Sequence, residues 1–184
     1  MQVIATELDD CYIIEPDVYG DNRGYFMESH NEKKLQEHGL NYHFVQGNES
    51  FTAKKGTIRG LHFQTSPMTQ GKLVRCLTGK IYDVAVDLRK DSKTYKKWIK
   101  VELSGENKRQ LLLPRGFAHG FITLTDDVTF CYMVDNYYSK EHDAGIIYND
   151  PSIGVDWGLE STEEPILSEK DKHLPTLEEI KLDF

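Results

Sequence analysis

The chain has 184 residues, which is enough for one domain with its own core and short for two. Its 22 basic and 30 acidic side chains give a net charge of −8, so charge does not favour nucleic acid or an anionic membrane as a partner. With 39% hydrophobic and 28% charged residues and no long apolar window, the composition is typical of a soluble globular domain. We therefore expect one domain over residues 1–184.

The N-terminal stretch indicates a cytoplasmic protein. It reaches acidic residues within its first ten positions and has neither the basic nor the long apolar segment of a secretory signal. The three cysteines, Cys11, Cys76 and Cys131, are odd in number and far apart, which argues against a disulfide framework and a zinc site. Reduced thiols in the cytoplasm fit this pattern.

Before the middle of the chain, the pattern predicts two short strands and one short helix. Residues 11–14 and 25–28 have strand character. Residues 31–38 are the best helix, because Asn31 can cap it, Glu32 lies in its first turn and Gly39 can end it.

Strand signals dominate the middle of the chain. Short β-branched and aromatic runs alternate with Gly, Asn or Asp punctuation, and the connections at 78–80 and 104–107 are short enough for hairpins. The predicted strands are residues 42–45, 60–64, 72–77, 81–88, 98–103, 110–113, 120–124 and 129–134. This number of strands, without helices between them, predicts an all-β antiparallel sandwich or barrel.

The tail, residues 160–184, is polar and has no sustained period. We expect it to pack over the sheets with a helical turn near Ser168 and another near Thr176.

The segment RGLHFQ, residues 59–64, contains the first candidate for chemistry. Strand alternation sends Leu61 and Phe63 to one face and His62 to the other, which also carries Gly60 and Gln64. The same alternation turns Arg59 away from His62, so Arg59 reaches the same site only at the strand entrance or through a bulge.

The next strands carry buried charge. Lys72 shares a face with Val74 and Cys76, where an ammonium is costly unless it is paired or faces a ligand oxygen, so it is either a stabiliser of developing negative charge or a snorkelling surface lysine. Asp83 and Asp87 share one face of the following strand, for which we expect a solvated or hydrogen-bonded role.

Pro114, Gly116 and His119 have the Pro-x-Gly-x-x-His spacing of the second signature of the cupin jelly roll, which predicts a jelly-roll fold. The first cupin signature needs two histidines separated by one residue and a following glutamate. Here His62 is followed instead by Phe63 and Gln64, so we expect no metal site.

Tyr132 alternates with Phe130 and Val134 and can point inward. The order and spacing of RGLHFQ, GKLVR, LPRGFAHGF and this tyrosine resemble those of the dTDP-4-dehydrorhamnose 3,5-epimerase family. The resemblance continues through DNRGYFMES, FVQGNES, YNDPSIGVDW and ILSEKD, and so covers nearly the whole chain.

The resemblance implies a cofactor-independent isomerase with a cupin-type jelly roll and short peripheral helices. Family members invert carbons 3 and 5 of a dTDP-linked 4-keto-6-deoxyhexose on the rhamnose pathway. By matching motifs, His62 is similar to the family's base, Tyr132 to its acid, Lys72 to its enolate stabiliser and Asp171 to the aspartate that orients the base.

The resemblance also implies a set of substrate contacts. Arg23, Arg59 and Lys170 match positions that bind the diphosphate, and Phe26 and Tyr138 are candidates for stacking on the thymine. Five more residues match positions that contact the substrate in the family: Glu28, Gln46, Asn48, His119 and Asp143. Glutamate is commoner in the family at position 143, so the shorter aspartate leaves its contact to water.

Family members are homodimers that exchange an N-terminal strand, so we expect residues 1–30 at a dimer interface. Three alternatives remain. A relative that epimerises one carbon or isomerises the ketone would use the same base. A metal-dependent cupin oxygenase is disfavoured by Gln64, and a catalytically silent sugar-nucleotide sensor is disfavoured because His62 and Asp171 are both present.

Overall fold

The computed structural model describes residues 1–160, 164–182 and 184, and strands form most of their regular structure. The strands are β1 (Gln2–Ala5), β2 (Tyr12–Glu15), β3 (Val18–Asp21), β4 (Gly24–Met27), β5 (Gln46–Thr52), β6 (Ile58–Gln64), β7 (Lys72–Thr78), β8 (Lys80–Asp87), β9 (Trp98–Ser104), β10 (Gln110–Leu113), β11 (Phe117–Thr123), β12 (Val128–Val134) and β13 (Asp143–Gly145). The helices are α1 (Glu32–Glu37), α2 (Glu169–Lys172) and a 3-10 turn at Leu177–Glu179. In this part of the chain, no helix has the length and apolar character needed to cross a membrane.

Two antiparallel sheets and a separate hairpin account for these strands. One sheet has the order β1-β2-β10-β7-β12-β5, the other has the order β13-β6-β11-β8-β9, and β3 pairs with β4. The pairings between the named strands are antiparallel. The predicted all-β jelly-roll sandwich is therefore confirmed.

The main core lies between the two sheets. Val74 and Phe130 from the six-stranded sheet meet Ala85 and Phe121 from the five-stranded sheet, and the four residues are buried. This inner face is what strand alternation predicted for Val74 and Phe130, because every second side chain of a strand points to the same side.

The C-terminal tail covers the outer face of the five-stranded sheet. Leu61 and Ile122 of that sheet pack with Trp157, Leu177 and other apolar side chains that follow β13. Ser168 caps α2, and Thr176 precedes the 3-10 turn. The two helical turns predicted near Ser168 and Thr176 are thus confirmed. Positions 161–163 and 183 of the predicted tail lie outside the described residues.

Helix α1 has the predicted start and end. The Asn31 side chain accepts a hydrogen bond from the Lys34 N–H at 3.2 Å, and Gly39 has a φ of +78° just beyond the helix. Leu35, its buried residue, packs on the outer face of the six-stranded sheet against Leu73 and Leu112.

The predicted strand at 42–45 is wrong. The ladder with β12 begins one residue later, at Gln46 opposite Val134. Tyr42 and Phe44 stack on each other with ring centroids 5.7 Å apart and pack with the cluster beneath α1. Their aromatic character therefore reflects packing on a sheet rather than membership of one. The sequence reasoning also missed the seven-residue strand β5 and the short strands β1, β3 and β13.

Candidate active site

A pocket of about 500 Å³ opens between the two sheets and gathers most of the predicted catalytic groups. Among its lining residues are Arg59 and His62 of β6, Lys72 of β7, His119 of β11, Tyr132 of β12, and Lys170 and Asp171 of α2. The five-stranded sheet supplies the two histidines, and the six-stranded sheet supplies Lys72 and Tyr132. Groups from opposite sheets therefore face one cavity.

His62 and Asp171 form a hydrogen-bonded pair, as predicted. The His62 Nε2 lies 2.7 Å from Asp171 Oδ1, and the aspartate is 3% exposed. Burial alone would raise the pKa of Asp171, but hydrogen bonds from His62 and the Gly60 N–H lower it overall, so the carboxylate is charged. The charged Asp171 accepts a hydrogen bond from the Nε2–H of His62. The Nδ1 of the same ring then carries no proton and is its basic nitrogen.

A bulge at Gly60 brings Arg59 to the same pocket as His62. Arg59 pairs with Phe121 and His62 pairs with His119, so two residues of β6 oppose Gly120 alone. Gly60 has a φ of +122°, and a Cβ there would lie 2.6 Å from the Gly120 Cα. Glycine at position 60 therefore permits the strand irregularity that strict alternation could not supply.

Hydrogen bonds hold the Arg59 guanidinium at the pocket. Its Nε donates to Thr52 Oγ1 at 2.9 Å, and one terminal nitrogen donates to the Phe51 carbonyl at 3.0 Å. The remaining N–H groups can bind an anion.

Lys72 is a buried cation beside the pocket. It is 8% exposed, and no carboxylate of the described chain lies within ion-pair distance of its Nζ. Burial lowers its pKa to about 8, while the charges of Asp83 and Asp143 oppose that shift. The ammonium therefore lacks a fixed partner and can stabilise negative charge that develops in the cavity.

His119 and Asp83 form a second buried pair, which the sequence reasoning did not predict. The His119 Nε2 lies 2.9 Å and 3.1 Å from the two Asp83 oxygens. Burial lowers the pKa of His119 and raises that of Asp83. Strand alternation puts Asp83 on the inner face of β8, but only the register of β8 against β11 brings it beside His119.

The expectation of a solvated face for Asp83 and Asp87 is wrong, whereas the hydrogen-bonded alternative is right. Both carboxylates are fully buried. Asp87 accepts hydrogen bonds from Arg89, Ser92 and Thr94, so it stabilises the loop after β8 and lies outside the pocket.

Tyr132 presents a protonated phenol to the pocket. Its ring packs against Phe130, with centroids 5.9 Å apart, and Lys72 Nζ lies 5.9 Å from the centroid of the Tyr132 ring. Burial, and then the charge of Asp143, raise the pKa of Tyr132. A phenol with a raised pKa keeps its proton at neutral pH until a stronger base takes it.

Four predicted binding residues do not line the pocket but are linked by hydrogen bonds to one another and to Lys170, which does, and we call this group the rim: Gln46, Asn48, Tyr138 and Asp143. Gln46 donates from Nε2 to Asn48 Oδ1 at 2.8 Å, and its Oε1 accepts the Tyr138 N–H at 3.0 Å. Asp143 accepts a hydrogen bond from Lys170 Nζ at 2.5 Å and lies 3.4 Å from the Tyr138 hydroxyl. The rim therefore adjoins the pocket through the contact between Asp143 and Lys170.

Arg23, Phe26 and Glu28 lie elsewhere. None of the three is among the described residues that line the pocket. Arg23 is paired with Asp21 on the β3-β4 hairpin, Phe26 is 67% exposed, and Glu28 is paired with Lys34. The structure therefore does not bring these three predicted contacts to the site of the same chain.

The histidine and aspartate side chains that the structure describes around the pocket do not form a metal-binding group. Across residues 1–160, 164–182 and 184, no three His, Cys, Asp or Glu side chains are grouped as they would be around a metal ion. Gln64, at the position where a cupin ligand would stand, uses its amide in hydrogen bonds to backbone atoms. Each of the two histidines at the cavity is instead hydrogen-bonded to one aspartate.

Comparisons with known proteins agree with the geometry. Residues 5–179 match the family model described as dTDP-4-dehydrorhamnose 3,5-epimerase. The enzyme of that name from Shigella flexneri is 52% identical over 172 residues, covering 93% of each chain.

Two crystal structures show the same fold. That of dTDP-4-dehydrorhamnose 3,5-epimerase from Bacillus anthracis, with TDP and PPi bound, has a TM-score of 0.91, 50% identity and coverage of 96% of this chain and 99% of that one. That of dTDP-6-deoxy-D-glucose-3,5-epimerase from Legionella pneumophila, in complex with dTDP-4-keto-L-rhamnose, has a TM-score of 0.92, 46% identity and coverage of 98% and 94%.

Proposed function

Because this chain belongs to the dTDP-4-dehydrorhamnose 3,5-epimerase family, we propose that it converts dTDP-4-dehydro-6-deoxy-D-glucose to dTDP-4-dehydro-L-rhamnose without a cofactor. The observation that carries the proposal is the His62–Asp171 pair on one side of the pocket, with Tyr132 on the opposite sheet. A base and an acid on opposite sides are what inversion of a carbon next to a ketone requires.

Proton removal falls to His62. Carbons 3 and 5 flank the ketone at carbon 4, which acidifies their protons. With its Nε2 proton hydrogen-bonded to the charged Asp171, His62 accepts the substrate proton at Nδ1 and becomes an imidazolium beside a carboxylate. The carboxylate thus fixes the orientation and the tautomer of the ring.

Lys72 stabilises the enolate that forms. Removal of the proton moves an electron pair to the carbonyl oxygen, and a buried ammonium without a fixed partner offers a cation for that oxygen. His119, held by Asp83 next to His62 on the neighbouring strand, supplies a further polar contact to the sugar.

Tyr132 returns a proton from the opposite face. Its raised pKa keeps the phenol protonated, and transfer of that proton to the enolate carbon completes the inversion. Two such cycles, one at each carbon, give the product; after each cycle His62 passes its proton to water and Tyr132 takes a proton from water. The six-stranded sheet holds the acid and the five-stranded sheet holds the base, so the two faces of the ring meet different groups.

Residues that line the pocket and residues of the rim together bind the nucleotide. Arg59 and Lys170 are the cations for the diphosphate, and Tyr138 is the stacking surface for the thymine. The remaining polar contacts to the substrate are Gln46, Asn48, His119 and Asp143.

We further propose that the chain is a cytoplasmic homodimer, with residues 1–184 forming one domain. The three cysteines are free thiols, which fits a reducing compartment. The β3-β4 hairpin exposes Tyr19, Tyr25 and Phe26, which is a large apolar surface for a short hairpin. A second copy would cover it, and would place Arg23, Phe26 and Glu28 at the partner's pocket.

The incorporation of deuterium tests the reaction. We expect incubation of the protein with dTDP-4-dehydro-6-deoxy-D-glucose in deuterated water to introduce two deuterons, at carbons 3 and 5, as read by mass and NMR. One deuteron would support the relative that epimerises a single carbon, and none would contradict the proposed reaction. A boiled sample is the control for uncatalysed exchange.

Complementation tests the contribution of the partner. We expect Arg23→Ala and His62→Ala homodimers to have little activity, because each lacks one residue in both sites. A mixed dimer, isolated by two affinity tags after co-expression, should regain one intact site, because the His62→Ala chain donates its native Arg23 to the partner. If Arg23 serves the site of its own chain, the mixed dimer will be as inactive as the parents.

A further inference from the structure

Gln64 is the last residue of β6, two positions after His62, and its amide is fully used inside the protein. It is 4% exposed. Its Nε2 donates to the Met68 carbonyl at 2.6 Å and to the Tyr137 carbonyl at 3.1 Å, and its Oε1 accepts the Ser139 N–H at 2.7 Å. Each partner is a backbone group, so Gln64 fixes the course of the chain in two loops.

The second of these loops connects β12 to β13 and carries Tyr138. The Tyr138 N–H donates to Gln46 Oε1 at 3.0 Å, and the next N–H, that of Ser139, donates to Gln64 Oε1. Gln46 belongs to the six-stranded sheet and Gln64 to the five-stranded sheet. One glutamine from each sheet therefore holds two successive N–H groups of the loop.

The loop backbone is thus fixed, whereas the ring of Tyr138 is exposed and only its hydroxyl is held, by a hydrogen bond to Asp143 Oδ2 at 3.4 Å. Tyr138 is 56% exposed, although its backbone is held from both sides. The loop ends at Asp143, which pairs with Gln64 itself in the ladder of β13 and β6, and which binds Lys170. An exposed ring on a fixed backbone loses little conformational entropy when a ligand stacks on it.

We propose that Gln64 is a positioning residue: it holds the backbone at Tyr138 so that the tyrosine ring is in place to bind the nucleotide end of the substrate. The proposal rests on the function proposed above, in which Tyr138 stacks on the thymine. Gln64 itself is buried behind the loop and acts through the backbone at Tyr137 and Ser139. It therefore affects binding of the nucleotide and leaves proton transfer at the sugar intact.

Gln64→Glu is the sharpest variant, because it keeps the size of the side chain and removes both donated hydrogen bonds. A carboxyl group there would face the Met68 and Tyr137 carbonyls without the two N–H donors that they now bind. We expect the Kd for dTDP, measured by calorimetry, and the KM for the sugar nucleotide to rise about tenfold, the effect of leaving one buried polar group unpaired. The kcat should stay within about threefold of the wild-type value.

A double-mutant cycle with Tyr138→Ala separates positioning from general loss of structure. If Gln64 acts through Tyr138, the Gln64→Glu change will raise the Kd for dTDP by less than about threefold in the Tyr138→Ala background. Gln36→Glu, on the exposed face of α1, makes the same charge change and should leave the Kd unaltered. Should Gln64→Glu not fold, Gln64→Met replaces it in the cycle, because it has a similar volume and removes both donated hydrogen bonds as well as the one accepted from the Ser139 N–H.

Two outcomes would overturn the proposal: an unchanged Kd in the Gln64 variant, or an equal rise in both Tyr138 backgrounds. A kcat that falls while the Kd holds would also contradict it, because that pattern belongs to the proton-transfer groups. Wild-type protein that binds dTDP but incorporates no deuterium would refute the proposed reaction and leave the role of Gln64 in nucleotide binding standing.

Discussion

His62→Ala is expected to abolish deuterium incorporation at both carbons. The substitution removes the base and leaves Asp171 buried without the imidazole N–H that donates a hydrogen bond to it. A positioned general base contributes about 10²- to 10⁴-fold to the rate, and the loss here should reach the upper end because both carbons depend on the same ring. The measurement is deuterium incorporation by mass over several hours at high enzyme concentration.

The matched control for this variant is His43→Ala. His43 is largely exposed and lies outside the pocket, so its removal should leave exchange unchanged. Binding of dTDP by the His62→Ala protein, which we expect to persist, shows that the site is still folded. Exchange at more than about a tenth of the wild-type rate would mean that another group removes the protons.

Tyr132→Phe is expected to separate proton removal from inversion. The phenylalanine keeps the ring that packs on Phe130 and removes only the hydroxyl. The base and Lys72 remain, so the enolate still forms, and His62 can return a deuteron to the face from which it took the proton. Deuterium should therefore enter the substrate with retention, while formation of the inverted product falls about 10²-fold or more.

The measurement for Tyr132→Phe is the ratio of deuterium incorporation to inversion, followed in one sample by NMR. Tyr95→Phe, in the loop before β9 and outside the pocket lining, is the control and should keep the wild-type ratio. Equal and complete loss of exchange in the His62 and Tyr132 variants would contradict the division of roles. Retained inversion in Tyr132→Phe would show that another acid serves the opposite face.

The sequence was sufficient to predict that His62, Lys72 and Tyr132 point inward. Each lies on a strand whose apolar side chains alternate regularly, so the period of two assigns the faces before any pairing is known. The same rule failed at 42–45, because aromatic residues that pack against a sheet look like residues within one.

Other parts of the site depended on family resemblance or could not be predicted. Asp171 stands 109 positions after His62 in the chain, and only its match to the SEKD motif indicated the contact that the structure shows. The pairing of Asp83 with His119 and the hydrogen bonds of Gln64 had no signal in the sequence. They depend on strand register and loop course, which one chain's pattern does not encode.

The sequence by itself therefore determined the all-β class and the faces of the strands, whereas the proposed roles of base, acid and cation came from the resemblance to a family. Only the tertiary structure decided which carboxylate meets which histidine, how the bulge at Gly60 turns Arg59 into the pocket, and that Arg23 and Phe26 lie away from it. The physical reason is that side-chain alternation is a local property of a strand, whereas partners across sheets are fixed by register and by the packing of distant segments.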